Sequence, residues 1–132
     1  MSYRNQYKII KKFYKNKKVL ITGATGFKGS WLAFWLSRMG AKVYTIGNNP
    51  NKNKSLFYGL KLEKKTNLKI LDIRNFSKLD SLIKKIKPEI IFHLAAQPLI
   101  FASYKDPKDT YEINALGTLN LLESCRNNKS LR

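Results

Sequence analysis

Short apolar segments alternate along the chain with longer segments in which apolar residues recur at helical spacing. The short segments are rich in β-branched residues and leucine, and they predict four strands at Lys18–Thr22, 42–46, 68–72 and 90–95. The helical spacing predicts three helices at 27–39, Phe76–Ile86 and about 108–126. Polar loops are expected at 47–66, with one helical turn near 55–60, and at 96–107.

The alternation of strands and helices is typical of an α/β fold built on a parallel sheet. Right-handed crossovers then predict a Rossmann-like doubly wound parallel sheet that is incomplete, with the strand order 3-2-1-4. We assign residues 18–132 to this domain. Residues 1–17 form a basic N-terminal extension whose apolar residues are spaced for either a short amphipathic helix or a loose tail.

Two features of the pattern predict burial. Apolar residues surround most of the helix at 27–39, so we expect it to be largely buried and to end at Gly40. Trp31 and Trp35 lie one turn apart and are expected to wedge this helix against the sheet. The fourth strand is continuously apolar, as a strand buried on both faces requires.

Net charge adds a choice between two interpretations. The chain has 26 Lys and Arg residues against 8 Asp and Glu, which gives a net charge of +18. Such a charge attracts nucleic acids, phosphorylated metabolites and acidic membranes. Lysine outnumbers arginine by 21 to 5, which favours compositional bias, because specific phosphate and base contacts are better made by arginine.

Composition also bears on the compartment. No apolar run is long enough to cross a bilayer, and residues 1–17 lack the continuous apolar stretch of a signal peptide. The single cysteine, Cys125, has no intramolecular disulfide partner and is most simply a small core residue. We therefore expect a cytoplasmic protein with no membrane partner and no metal site.

Three glycines that follow the first strand, in the segment TGATGFKGSW, predict a diphosphate site. Gly23 lets the chain leave the strand in a tight turn, and Gly29 lets the next helix pack closely on that strand. Gly26 removes a Cβ that would keep a diphosphate away from the backbone. The unpaired N–H groups and the dipole of the helix favour an anion there. A tight turn without a ligand is the alternative, and the strand–turn–helix context speaks against it.

Two titratable residues lie at predicted strand ends. Asp72 is expected to face the ligand crevice, to cap the following helix, or to do both. His93 is the only histidine, and we expect a hydrogen-bonded structural side chain rather than a catalytic base.

The glycine spacing G-x-x-G-x-x-G, together with LDIR at 71–74, FHLAAQP at 92–98 and NALGTLNLLESCR at 114–126, resembles the extended short-chain dehydrogenase/reductase family. The resemblance implies that Asp72 holds an adenine beside Ile73, and that residues 92–98 line the nicotinamide side of a bound NAD. It assigns cofactor contacts to Gly23, Thr25, Gly26, Phe27, Lys28, Gly29, Asn48, Asp72, Ile73, Leu94, Ala95, Ala96, Gln97 and Asn114.

Further segments narrow the resemblance to the nucleotide-sugar 4,6-dehydratases within that family. These segments are TGFKGSW, SLF at 55–57, PEIIFHLAAQPLI and SY at 103–104 with the downstream Pro107. Lys28 and Gln97 mark the subgroup whose implied substrate is CDP-glucose. The implied reaction is a lyase reaction with bound NAD, in which hydride leaves sugar C4 and returns at C6 while water is lost across C5 and C6. The complete enzyme is expected to be a homodimer.

Several departures from the family pattern limit these expectations. The family's catalytic Ser/Thr and Tyr-x-x-x-Lys pair are expected beyond Arg132, so we assign no catalytic residue and expect the chain alone to be inactive. The Tyr-x-x-x-Lys matches that the chain does contain are interpreted as chance in a lysine-rich sequence; they are Tyr7/Lys11, Tyr14/Lys18 and Tyr104/Lys108. Ile113 stands where relatives often have threonine, which removes one polar cofactor contact.

The second strand is not followed by an acidic residue, which leaves the ribose contacts open. Asn48 or Asn49 could hydrogen-bond the ribose hydroxyls, whereas Lys52 and Lys54 could accept a 2′-phosphate. NAD rather than NADP therefore rests on the resemblance. The alternative function is a non-catalytic basic module that binds nucleic acid or a protein partner, but such a module has no need of LDIR and HLAAQ at strand ends.

Overall fold

A computed structural model describes residues 2–126 and 128–131 of the chain. Four parallel strands form one sheet in the order β3-β2-β1-β4, which confirms the predicted topology. The strands are β1 Lys18–Thr22, β2 Lys42–Gly47, β3 Asn67–Ile70 and β4 Ile90–His93. The helices are α1 Tyr3–Tyr14, α2 Phe27–Arg38, α3 Leu56–Gly59, α4 Phe76–Ile86, α5 Ile100–Lys105, α6 Pro107–Tyr111 and α7 Gly117–Cys125.

Two apolar clusters cover the two faces of the sheet. Alternate residues of a strand point to opposite faces, so Val19 and Ile21 pack on one side and Leu20 on the other. The first cluster takes in α2 and α3, and the second takes in α4 and α7. The sheet is therefore covered by helices on both faces, and its strand ends remain free to form a site.

The expectation that Trp31 and Trp35 wedge α2 into the sheet is wrong. Trp31 is 43% exposed and Trp35 61% exposed. The buried residues of α2 are instead small ones and one leucine: Gly29, Ser30, Ala33 and Leu36. Small side chains let the helix axis approach the sheet closely, so the helix is not buried on all sides and the larger apolar side chains are left outside.

The segments after β3 and β4 leave the sheet earlier than predicted. Both strands end two residues short of the predicted 72 and 95. All four residues of β4 are half-buried rather than buried on both faces, because β4 lies at the edge of the sheet. The residues that follow the two strands then become available to line the site.

The chain after β4 contains more helix than the sequence predicts. Helix α5 lies inside the predicted loop, and α6 begins at Pro107 with Asp106 as its cap, whose Oδ1 accepts from the Asp109 N–H at 2.9 Å. The helix expected at 108–126 is divided by a π-helical segment at Glu112–Leu116, followed by α7. A proline after a capping aspartate is a helix-start signal that identifies α6.

The N-terminal extension contains a helix rather than a loose tail. Helix α1 has no buried residue, and its Tyr14 packs partly against the first apolar cluster. Lys17 then forms an ion pair of 2.7 Å with Glu89, next to β4. These two contacts attach the extension to the domain at its C-terminal end.

Candidate functional site

The three glycines after β1 have the three roles that the sequence predicts. Gly23 has φ +66°, and a Cβ there would lie 2.5 Å from the backbone of Leu94. A Cβ at Gly29 would overlap the carbonyl of Gly23, so α2 reaches its position only with glycine there. A Cβ at Gly26 would meet only the Gly23 oxygen at 3.3 Å and would otherwise point into open space. Gly26 therefore leaves room for a ligand rather than for protein.

The N-terminus of α2 presents free backbone donors to this space. Within the described part of the chain, the structure gives no hydrogen-bond acceptor to the N–H groups of Phe27, Lys28 and Gly29. The first turn contains no acidic residue. Three free N–H groups and the positive end of the helix dipole make this corner suited to an anion such as a diphosphate.

A cavity of about 740 Å³ opens from this corner along the carboxyl ends of the strands. Thirteen of the fourteen residues assigned to the cofactor line it, and Asn114 does not. Its lining also contains residues that the sequence did not single out as cofactor contacts: Ile46, Gly47, Leu71, Arg74, Pro98, Leu99 and Ile113. All of them lie at or just after strand ends or on the last helical segment, which is the signal that identifies them.

Asp72 and Arg74 form a charged cluster on the cavity wall. The Asp72 carboxylate accepts from the Arg74 guanidinium at 2.6 to 3.1 Å and from the Arg74 backbone N–H at 2.9 Å. Hydrogen bonding to Arg74 is the main reason that the pKa of Asp72 is lowered, so the carboxylate stays ionised. Arg74 also donates to Asp109 at 2.5 Å, which connects this loop to α6.

Asp72 does not cap the following helix, as one interpretation of the sequence proposed. That role belongs to Asn75, whose side chain accepts from the Lys78 N–H at 3.1 Å. The Asp72 side chain is thus free of the helix and faces the cavity.

Gln97 and Asn114 hold the opposite wall in place. The Asn114 side chain accepts from the Gln97 N–H at 2.8 Å and donates to the Gln97 carbonyl at 3.1 Å. The Gln97 side chain donates to Thr110 at 2.9 Å and accepts from the Leu99 N–H at 2.7 Å. Asn114 therefore supports the cavity wall instead of lining the cavity, which corrects the sequence expectation.

The two asparagines after β2 lie at the far end of the site. Asn48 lines the main cavity, and a second hollow of about 260 Å³ is bordered by Asn48, Asn49, Asp72 and Lys78 among others. Lys52 and Lys54 border neither space. The structure therefore brings the asparagines, and not these two lysines, to the place predicted for a ribose.

His93 is a hydrogen-bonded structural side chain, as expected. Its Nδ1 lies 2.6 Å from Thr22 Oγ1, and its Nε2 lies 3.0 Å from Thr118 Oγ1. Burial lowers the pKa of the imidazole. Cys125 is half-buried and its thiol pKa is raised by burial, which is consistent with a core residue rather than a reactive one.

The chance interpretation of the Tyr-x-x-x-Lys matches agrees with the geometry. Tyr7, Tyr14 and Tyr104 do not line the cavity. Over residues 2–126 and 128–131, no group of three His, Cys, Asp or Glu side chains is arranged to hold a metal ion. The same residues contain no helix with the length and apolar character needed to span a membrane.

Comparison with known sequences places the chain in a family. The family model described as GDP-mannose 4,6 dehydratase matches residues 20–132. The CDP-glucose 4,6-dehydratase of Salmonella typhimurium is 47% identical over 118 residues, which are 89% of this chain and 33% of that protein. A GDP-mannose 4,6-dehydratase of Vibrio cholerae serotype O1 is 34% identical over 84% of this chain and 32% of its own length. The chain thus spans about a third of the length of the curated relatives it matches.

Solved structures support the same assignment. An epimerase from Methanothermobacter thermautotrophicus has a TM-score of 0.84 and 26% identity, over 98% of this chain and 37% of that one. The Thermus thermophilus UDP-glucose 4-epimerase, solved in complex with NAD, has a TM-score of 0.72 and 30% identity, over 86% of this chain and 35% of its own. With its glycine corner, its strand-end cavity and a family match over residues 20–132, this chain belongs to the GDP-mannose 4,6-dehydratase family.

Proposed function

We propose that this chain is the NAD-binding portion of a CDP-glucose 4,6-dehydratase, which converts CDP-glucose to CDP-4-keto-6-deoxyglucose and water. The observation that carries the proposal is the strand-end cavity with three free N–H groups at the start of α2. The 47% identity to the Salmonella typhimurium enzyme supports the substrate, and the likeness to a UDP-glucose 4-epimerase solved with NAD supports the cofactor.

The cavity residues fit an extended dinucleotide along its length. The diphosphate would lie against Gly26 and the first turn of α2, where a Cβ would otherwise fill the space. Asn48 would contact a ribose, and Asp72 with Ile73 would hold the adenine. The segment 94–97 would border the nicotinamide. NAD, when bound, supplies the acceptor and later the donor of the hydride exchanged with the sugar.

The chain's own residues bind and orient in this proposal, and they do not carry out proton transfer. A general base must lie within hydrogen-bond reach of its proton, and none of the tyrosines in Tyr-x-x-x-Lys matches borders the cavity. We propose that the complete enzyme is a cytoplasmic homodimer with the nucleotide sugar as its substrate. The family resemblance supports the homodimer, and the single cysteine agrees with a reducing compartment.

The test is calorimetric titration of the purified 132-residue chain with NAD, followed by incubation with CDP-glucose. We expect weak but saturable NAD binding and no formation of the 4-keto product. Binding should be weak because only part of the relatives' length is present to cover the nicotinamide and the sugar. Failure to bind NAD at any concentration would contradict the proposed site, and turnover of CDP-glucose would contradict the assignment of catalysis to other residues.

A further inference from the structure

His93 lies at the end of β4 in a continuous chain of side-chain hydrogen bonds. Its Nδ1 is 2.6 Å from the hydroxyl of Thr22 in β1, and its Nε2 is 3.0 Å from the hydroxyl of Thr118 in α7. The Thr22 hydroxyl is fully buried and also accepts the N–H groups of Leu94 and Ala95, each at 3.2 Å. One imidazole ring thus joins two strands to the last helix.

The hydrogen bonds at Thr118 determine which ring nitrogen carries the proton. The Thr118 hydroxyl lies 2.6 Å from the carbonyl oxygen of Asn114 and donates its single proton there. Towards His93 it can then act only as an acceptor, so Nε2 must carry the hydrogen. Nδ1 is left as an acceptor for the Thr22 hydroxyl proton. In this neutral Nε2–H tautomer every donor in the chain meets an acceptor.

A protonated ring does not fit the same arrangement. An Nδ1–H would point at the Thr22 oxygen, which already accepts two backbone N–H groups, and the Thr22 proton would lose its acceptor. The groups that face the ring are Thr22 from β1 and Thr118 from α7. Burial is the cause that lowers the pKa of His93, with no contribution from a charged neighbour.

Both ends of the cavity wall at 94–97 depend on this chain. Thr22 holds the backbone of Leu94 and Ala95 at one end. Asn114 holds the backbone of Gln97 at the other end, and its carbonyl accepts from Thr118. Displacing Thr22 or Thr118 would therefore move the wall that the proposed cofactor would contact.

We propose that His93 is a positioning residue: as the neutral Nε2–H tautomer it fixes the wall at 94–97, and its protonation weakens binding of the dinucleotide. This inference rests on the proposed function for the identity of the ligand. The hydrogen-bond chain itself does not depend on that identity, so the two are tested separately.

The first measurement is nitrogen-15 NMR of the imidazole in the 132-residue chain. His93 is the only histidine, so its ring signals need no assignment by mutation. At about pH 8, well above the ordinary histidine pKa, we expect the Nε2–H tautomer and a single set of signals. An Nδ1–H tautomer, or rapid averaging between the two, would overturn the proposal. Thr118→Val keeps the side-chain shape but removes the acceptor for Nε2–H, and we expect it to produce tautomer averaging.

The second measurement is the affinity for NAD between about pH 8 and about pH 5, with the pKa of His93 followed by NMR in the same buffers. We expect binding to weaken about tenfold at one pH unit below that pKa, because the protonated form is excluded. Thermal unfolding at each pH shows that the chain is still folded where binding is lost.

The control is His93→Asn, which keeps an acceptor near the position of Nδ1 and cannot titrate in this range. Whatever its absolute affinity, its NAD binding should be independent of pH over the interval. If the wild-type chain binds NAD at about pH 8 but shows no dependence on pH, or if the dependence persists in His93→Asn, the inference is wrong and the proposed function stands. If no NAD binds at about pH 8, both are wrong.

Discussion

At the scale of single residues, the glycines after β1 differ in what surrounds them, although the sequence motif treats them alike. Gly29 faces backbone atoms of Gly23 and Ala24, whereas Gly26 faces open space apart from one oxygen at 3.3 Å. The same added carbon therefore affects folding at one position and ligand binding at the other.

We predict that Gly26→Val abolishes NAD binding with little change in thermal unfolding, because its side chain enters the space proposed for the diphosphate. Gly29→Ala should instead lower the free energy of unfolding by at least about 2 kcal/mol, since its Cβ overlaps backbone. Gly59→Ala is a matched control, because a Cβ there meets nothing within 4 Å. Unchanged NAD affinity in Gly26→Val would mean that the loop is only a turn.

Arg74 provides a second test at this scale. Arg74→Gln removes the guanidinium that orients Asp72, and we expect affinity for ADP-ribose to fall by about fivefold, equivalent to about 1 kcal/mol. The free energy of unfolding should change by less than about 1 kcal/mol, because the ion pairs are largely exposed. Arg38→Gln is the control, since Arg38 lies over the Phe34 ring away from the cavity. Equal losses in both variants would contradict the role of Arg74.

The lowered pKa of His93 also makes a prediction for stability. A folded-state pKa below the ordinary value of 6.5 means that the unfolded chain takes up the proton first as the pH falls. Stability is thus complete above about 6.5 and declines as the pH falls through the lowered pKa. Carboxylates titrate mostly below this interval, so the decline in melting temperature should disappear in His93→Asn. A decline of the same size in the variant would assign it to other groups.

At the scale of elements, the order of strands and helices was predictable, and the exposed sides of the helices were not. Apolar spacing located α2 correctly, but that spacing does not show that Gly29 and Ala33 form the side that approaches the sheet. The positions of Asp72 and Gln97 at strand ends followed from the parallel topology. The hydrogen bonds from Asn114 to Gln97 could not be foreseen, because they depend on the π-helical turn that carries Asn114.

Helix α1 gives a prediction at this scale. It has no buried residue, and Tyr14 is the member that packs on the first apolar cluster. Removing residues 2–12 should therefore change the free energy of unfolding by less than about 1 kcal/mol. Tyr14→Ala in the intact chain should cost more, about 1–2 kcal/mol. The reverse order in chemical denaturation would show that the exposed part of α1 stabilises the domain.

At the scale of the whole molecule, β4 leaves one edge of the sheet unpaired within the described residues. Its four residues are half-buried and uncharged at neutral pH except for the titratable His93. Next to this edge, α7 and the turn before it expose Leu116, Leu119 and Leu122. An apolar strand edge of this kind can pair with a second copy.

We predict that the isolated chain self-associates through β4 despite its charge of +18. Light scattering at moderate salt, where repulsion is screened beyond about 10 Å, should show an average mass that rises with concentration. The double variant Leu119→Lys and Leu122→Lys changes the helix face and leaves the strand edge intact, so association should persist in it. A monomer at high concentration would contradict the edge argument, and loss of association in the double variant would assign the contact to α7.

The π-helical segment Glu112–Leu116 restricts the number of residues in this part of the chain as well as their identity. Deleting one residue from it would permit uniform α-helical winding but would rotate everything that follows by about 100°. Gly117 would turn away from Ile73, against which a Cβ would lie only 2.5 Å from Cδ1, and Leu121 would leave the core. Individual side chains in the segment can therefore vary over evolutionary time while its length stays constant, so an alignment of functional relatives should contain no gap there.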